Sequence, residues 1–231
     1  MSPPKVDAKY VERKRDKILD AAFVVAMRKP MHEVSMRDII AESGLSQGGI
    51  YRYYSNIDEI LIELINRESV IYDVKSLVDE VISSDKAPER VIGEILSVWE
   101  KAILDNLIGI GKIYYEICVV YVNDKKRLKN FMSNISFAAK EAYLWENFFH
   151  FIIQKISEGY FNLKIPLENL FGLHTVTLDG MIRDLILCKY YTVFLPFPGT
   201  LEKEKLIENY CTALVLLLGG NEKLIYEEIL T

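Results

Sequence analysis

Cysteine and histidine are scarce in this chain, and neither is clustered. Cys118, Cys188 and Cys211 are the only cysteines in 231 residues and form no CxxC pair. Such spacing excludes a disulfide scaffold or a thiolate metal site and fits a reducing compartment. His32, His150 and His174 have no metal-ligand spacing, so no metal is expected. A glycine-rich phosphate loop and a nucleophile elbow are both missing, which leaves no cofactor to expect and argues against an enzyme. Long apolar runs are missing as well. The longest uncharged apolar stretch near the end, residues 210–220, is too short to span a bilayer. The opening Met1-Ser2-Pro3-Pro4 runs into charge with no apolar leader segment. A cytoplasmic protein with no membrane partner is the expectation. No sustained two-residue apolar alternation, repeat or low-complexity segment occurs, so the chain reads as all-α.

Charge is unevenly shared. Residues 1–55 hold ten Lys and Arg against seven Asp and Glu, while 56–231 hold 18 against 26. A basic head on an acidic body results, and a positive surface supplies the salt-sensitive part of DNA affinity. The cluster Lys5, Lys9, Arg13, Lys14, Arg15 and Lys17 reads either as a phosphate-facing arm or as the solvated start of a helix.

The densest signal lies at 35–54, SMRDIIAESGLSQGGIYRYY. Ser35 and Asp38 match a capping box that starts a helix, with Ile39, Ile40 and Ala41 on its apolar side. Gly44 stands where the chain must turn, since glycine adopts positive φ without steric cost. Ser46 caps a second, short helix whose first turn holds Gln47, Gly48 and Gly49. Glycine in a helix interior costs about 1 kcal/mol relative to alanine, and close approach to DNA would offset it. Ile50 and Tyr54 are spaced to anchor this helix, leaving Tyr51, Arg52 and Tyr53 for groove or phosphates. The pattern is a helix-turn-helix, whose second helix enters the major groove. An ordinary helical hairpin is the alternative reading of the same stretch.

The flanks bear on that choice. Upstream, Ile18, Leu19, Ala22, Phe23, Val25 and Ala26 repeat at helical spacing until Pro30. Downstream, Asn56 and Glu59 give another capping signal ahead of Ile57, Ile60, Leu61, Leu64 and Ile65. Taken together, residues from about 15 to 61 resemble the DNA-binding domain of TetR-type transcriptional repressors. The resemblance rests on Ile18-Leu19-x-Ala21-Ala22, Ser35…Ile39…Ala41, Gly44-Leu45-Ser46-x-Gly48, Ile50-Tyr51-x-Tyr53-Tyr54 and Asp58-Glu59-x-Leu61. It implies a three-helix head over 1–56 and a larger helical effector-binding and dimerisation domain over 57–231. It also implies double-stranded operator DNA, a second copy of the chain and a small-molecule effector as partners. The DNA-facing set is then Ser35, Arg37, Ser46, Gln47, Gly48, Gly49, Tyr51, Arg52 and Tyr53. Two positions depart from the family: Ile57 replaces a common phosphate-binding lysine, and Tyr53 stands where histidine is frequent.

The body reads as helices over about 58–83 (one, or two with a bend), 88–106, 111–123, 124–158 with an irregularity, 167–194 and 202–218. A final turn or two lies in 221–230. Leu170, Leu173, Leu178, Met181, Ile182, Leu185 and Ile186, then Leu206, Ile207, Leu214, Leu217 and Leu218, give the last two main helices broad apolar faces. Gly172 and Gly180 would allow close helix approach. In proteins similar to this one, such helices from two subunits form a four-helix bundle; filling the monomer core is the competing use. Aromatic residues crowd the middle helices, and Trp99, Tyr114, Cys118, Tyr121, Phe148, Phe149 and His174 form the candidate ligand set. Pockets are mostly apolar with few polar groups, so a mainly apolar effector is expected. A ligand-blind regulator or activator of the same fold is the alternative, and an enzyme with an accessory DNA-binding head is the contrasting class.

Overall fold

A computed structural model describes residues 7–69, 72–191 and 202–226, with all side chains there except those of 103, 106–109 and 191. Every regular element among them is helical. In order these are α1 (Ala8–Arg28), a 3₁₀ turn (Met31–Glu33), α2 (Met36–Ser43), α3 (Gln47–Tyr51), α4 (Ile57–Glu68), α5 (Val74–Ile82), α6 (Pro88–Trp99), a π-helical turn (Glu100–Leu104), α7 (Asp105–Tyr121), α8 (Lys125–Ser133), α9 (Ser136–Ser157), α10 (Leu167–Tyr191), α11 (Lys203–Leu218) and a 3₁₀ turn (Glu222–Ile225). No helix of the described residues is long and apolar enough to cross a membrane.

The chain forms two compact units. One takes residues up to Ser69 together with Lys112–Ser136, and the other takes the rest. The first unit is therefore larger than the head of 1–56 expected from sequence: it includes α4, the end of α7 and α8. Its core is Ile18, Leu19, Ala22, Val25 and Ala26 of α1, Ile39, Ile50, and Ile60, Leu61, Leu64 and Ile65 of α4. Ile113, Ile117 and Phe131 are buried as well. Burying one such aliphatic or aromatic side chain contributes roughly 1.5–3 kcal/mol. The second unit buries Val91, Ile92, Ile95, Leu96 and Trp99 of α6, Leu144 and Phe148 of α9, Ile186 of α10, and Leu214, Val215 and Leu218 of α11.

One boundary differs from the sequence reading, and two that it left open are resolved. The expected break between 106 and 111 is absent, and helix runs from Pro88 to Tyr121 with the π turn inside it. Gly111 lies inside this helix, where a Cβ would fall 2.6 Å from Ile186 Cδ1, so its small size admits α10. The irregularity in 124–158 is a full stop between α8 and α9, at Asn134 and Ile135. The segment 58–83 is two helices, α4 and α5. The expected helix ends at 192–194 and 227–230 lie outside the described residues. Gly172 and Gly180 are not crowded within the chain: a Cβ at Gly172 meets nothing within 4 Å, and at Gly180 only Arg183 Nη2 at 3.8 Å.

Candidate functional site

The helix-turn-helix is built by local chemistry. Ser35 Oγ accepts from Asp38 N–H at 3.4 Å, and Asp38 Oδ2 accepts from Ser35 N–H at 3.0 Å, which closes the capping box of α2. Lys29 Nζ donates to Asp38 Oδ1 at 2.7 Å. Hydrogen bonds from Lys29 and then Ser35 hold the Asp38 carboxyl at a pKa of about 2. Gly44 ends α2 in the left-handed region, φ 62°. Leu45 N–H then donates to Ser43 Oγ, and Gly49 N–H donates to Ser46 Oγ at 3.1 Å to open α3. Positive φ and two caps turn the chain with little else.

α3 is fixed from beneath. Ile50 is fully buried and Tyr54 is 2% exposed. Arg15 lies over the Tyr54 ring, 5.2 Å from its centroid, while its Nε donates to Glu63 at 2.9 Å. Arg15 thus joins α1 to α4 and leaves the proposed phosphate arm. Lys5 lies outside the described residues. Arg13 Nε donates to Lys9 O, and Lys14 Nζ sits 5.5 Å from the Tyr10 ring centroid.

With Ile50 and Tyr54 turned inward, the rest of the set faces out. Ser35, Arg37, Ser46, Gln47, Gly48, Tyr51 and Arg52 are exposed, and Gly49 and Tyr53 are half-buried. A Cβ on Gly48 would meet open space, whereas one on Gly49 would lie 3.1 Å from Ser46 Oγ. Among the described residues Gln47, Tyr51 and Arg52 have no side-chain partner, so their hydrogen-bonding groups are free for a ligand. Gln and Arg side chains of this kind read adenine and guanine edges in the major groove.

Two polar clusters that sequence did not single out brace this unit. Asp58, in the first turn of α4, accepts from Tyr121 Oη at 2.6 Å and from Arg127 Nε at 2.9 Å. The Arg127 guanidinium also lies 3.9 Å from the Tyr121 ring centroid. Burial pushes the Asp58 pKa up, but hydrogen bonds from Arg127 and Tyr121 outweigh it and leave the value below its ordinary 3.8. Lys112, almost fully buried, donates to Ala26 O at 2.9 Å and Lys29 O at 3.2 Å, carbonyls at the end of α1. It also pairs with Glu116 at 3.1 Å, and Glu116 accepts from Met31 N–H at 2.7 Å. The separations, 63 and 69 residues for Asp58 and 83 to 86 for Lys112, hide these clusters from a sequence window.

The candidate ligand set divides between the two units. Tyr114, Cys118 and Tyr121 belong to the first unit. There the Tyr121 hydroxyl is taken by Asp58, and Tyr114 Oη donates to Met132 Sδ at 3.6 Å. Burial pushes the Cys118 thiol pKa up. Trp99, Phe148, Phe149 and His174 gather in the second unit, through Trp145. The Trp145 ring centroid is 5.8 Å from that of Trp99, 5.5 Å from Phe148, 6.3 Å from Phe149 and 4.5 Å from His174. His174 Nδ1 is 2.5 Å from Tyr210 Oη. Burial lowers the His174 pKa to about 4, so the imidazole is neutral at pH 7. His174 also borders a cavity of about 310 Å³ with Leu170, Leu173, Met181, Leu206 and Leu214. No group of three or more potential metal ligands occurs among the described residues.

Comparison with known proteins gives this geometry a context. Residues 18–64 match the sequence model of bacterial regulatory proteins of the tetR family. An uncharacterized HTH-type transcriptional regulator of Bacillus subtilis strain 168, YfiR, is 24% identical over 189 residues, 79% of this chain and 85% of that protein. The fold is shared with the TetR family transcriptional regulator PfmR of Thermus thermophilus, at TM-score 0.55 and 16% identity over 88% of this chain and 97% of that one. It is shared also with the fatty acid degradation regulator FadR of Bacillus halodurans, at TM-score 0.50 and 18% identity over 87% and 94%. The capped helix-turn-helix with its free outward face lies inside the segment that matches the tetR family of bacterial regulatory proteins, and the described chain shares the fold of solved members of that family.

Proposed function

We propose that the chain is a cytoplasmic, dimeric, effector-responsive repressor. Residues 1–56 serve as its DNA-binding head, and 57–231 as the effector-binding and dimerisation body. The observation that carries the reading is the outward set Gln47, Tyr51 and Arg52, unpartnered on a helix pinned by Ile50 and Tyr54. Dimerisation is supported by α10 and α11, where Leu173, which lines the apolar cavity, is 46% exposed and Val176 and Leu216 are 71% and 47% exposed. A second copy covering that face would present two heads to a palindromic operator, with half-sites about one DNA turn apart or a multiple of it. A mainly apolar effector would act by favouring a head spacing that no longer fits the operator.

Footprinting the full chain on DNA flanking its own gene tests the reading. A two-fold symmetric protected site, with affinity falling steeply in salt, is expected. Protection without symmetry would remove the dimer from the account. A ligand-blind regulator is the second reading, favoured by the complete burial of Trp99 and Phe148.

A further inference from the structure

Glu141 of α9 sits where a carboxylate is costly. Its Oε1 accepts from both Trp99 Nε1 at 3.2 Å and Trp145 Nε1 at 3.3 Å. Oε2 accepts no hydrogen bond, and no cation pairs with the group among the described residues. The surroundings are rings: Trp145 touches Trp99, Phe148, Phe149 and His174, and His174 Nε2 is itself buried with no partner. Burial raises the Glu141 pKa, the two indole N–H groups oppose that, and the charge of Asp179 on α10 raises it further. An acid so placed lacks a positive counter-charge. Trp99 also directly precedes the π-helical turn, a feature frequent at functional sites. Glu141 and Trp145 are only half-buried, so solvent reaches both.

We infer that this carboxylate, set between two indoles, binds the positively charged group of the effector, an organic monocation with an apolar or aromatic body. Glu141 supplies the counter-ion, the half-buried Trp145 indole adds cation–π attraction, and the half-buried Phe149 ring receives the apolar part. The inference rests on the effector-responsive reading above and narrows it: a neutral hydrocarbon would leave Glu141 uncompensated.

The chain has only two tryptophans, and both donate to Glu141, so tryptophan emission reports on this site alone. The full chain is titrated with tetraphenylphosphonium and, separately, with neutral triphenylphosphine oxide. The cation should change emission saturably. Glu141→Gln keeps an acceptor for both indoles and should weaken the cation about tenfold or more, with no effect on the neutral compound. Equal binding of the two compounds by the native chain, or cation affinity unchanged in Glu141→Gln, would overturn the inference. Circular dichroism and operator binding verify that the variant is folded. A release assay on operator DNA separates the two levels. Glu141-dependent binding that leaves DNA bound supports the site and defeats the effector-release reading. Release by a neutral compound, with no cation binding, does the reverse.

Discussion

The two units are held together by different means. In the first, a small aliphatic core is tied at its edges by charge: Arg15 to Glu63, Asp58 to Arg127 and Tyr121, Lys112 to Glu116 and the end of α1. In the second, rings fill the centre, and the polar groups among them, Glu141, His174 and Tyr210, have few partners. Directional hydrogen bonds fix a geometry, which suits a head that must present α3 in one orientation. A ring cluster with unpaired polar atoms is better suited to receiving something. The difference suits the first unit to rigidity and agrees with the proposal that the second receives the effector.

The first way to break this contrast is to charge the body's apolar face. Leu214 is 3% exposed and borders the α10–α11 cavity. Leu214→Glu buries an unpaired carboxylate and should cost about 4 kcal/mol. Light scattering and thermal unfolding should report a monomer or a collapsed melting temperature. A stable native dimer would place the interface elsewhere.

Acid should separate the units next. The His174 pKa falls from 6.5 unfolded to about 4 folded. The unfolded chain therefore binds the extra proton first. Stability from the neutral imidazole is complete above pH 6.5, declines below it, and is gone near pH 4, a loss of about 3 kcal/mol. His174→Gln, which does not titrate, should flatten that slope in thermal melts between pH 7 and 4. An unchanged slope would mean that the ring is not held neutral. Asp58 behaves differently. With its pKa below 3.8, its contribution persists through this window and fails only at lower pH.

Within the first unit, Lys112→Met removes a nearly buried ammonium that satisfies two carbonyls and Glu116. A loss of about 2 kcal/mol is expected from hydrogen bonds to a charged donor. Hydrogen exchange should quicken at the end of α1 while the ring cluster is unaffected. The smallest effect belongs to Ser46→Ala, which deletes the α3 cap for about 1 kcal/mol, visible as fraying of α3.

The contrast also explains what is legible in the sequence. Ser35, Asp38, Gly44, Ser46 and Asn56 act on residues within a few positions, and each acts in the structure as its spacing implies. Ile50 and Tyr54 follow from the same helical period. Arg15 reads as part of a basic arm because its partner, Glu63, is 48 residues away. The aromatic set is legible as residue types but not as a grouping. Whether Tyr121 meets Asp58 or Trp145 depends on which face of α7 packs where. Likewise, Gly111 reads as a helix end, because nothing local reveals Ile186 against it.

The central claim, that the free face of α3 reads DNA, is tested most directly at Tyr51, which is 45% exposed and unpartnered. The measurement is operator affinity of Tyr51→Ala by gel shift, with thermal unfolding as the companion. The account predicts affinity lower by about tenfold or more, at an unchanged melting temperature. Unchanged affinity in a folded variant would contradict it.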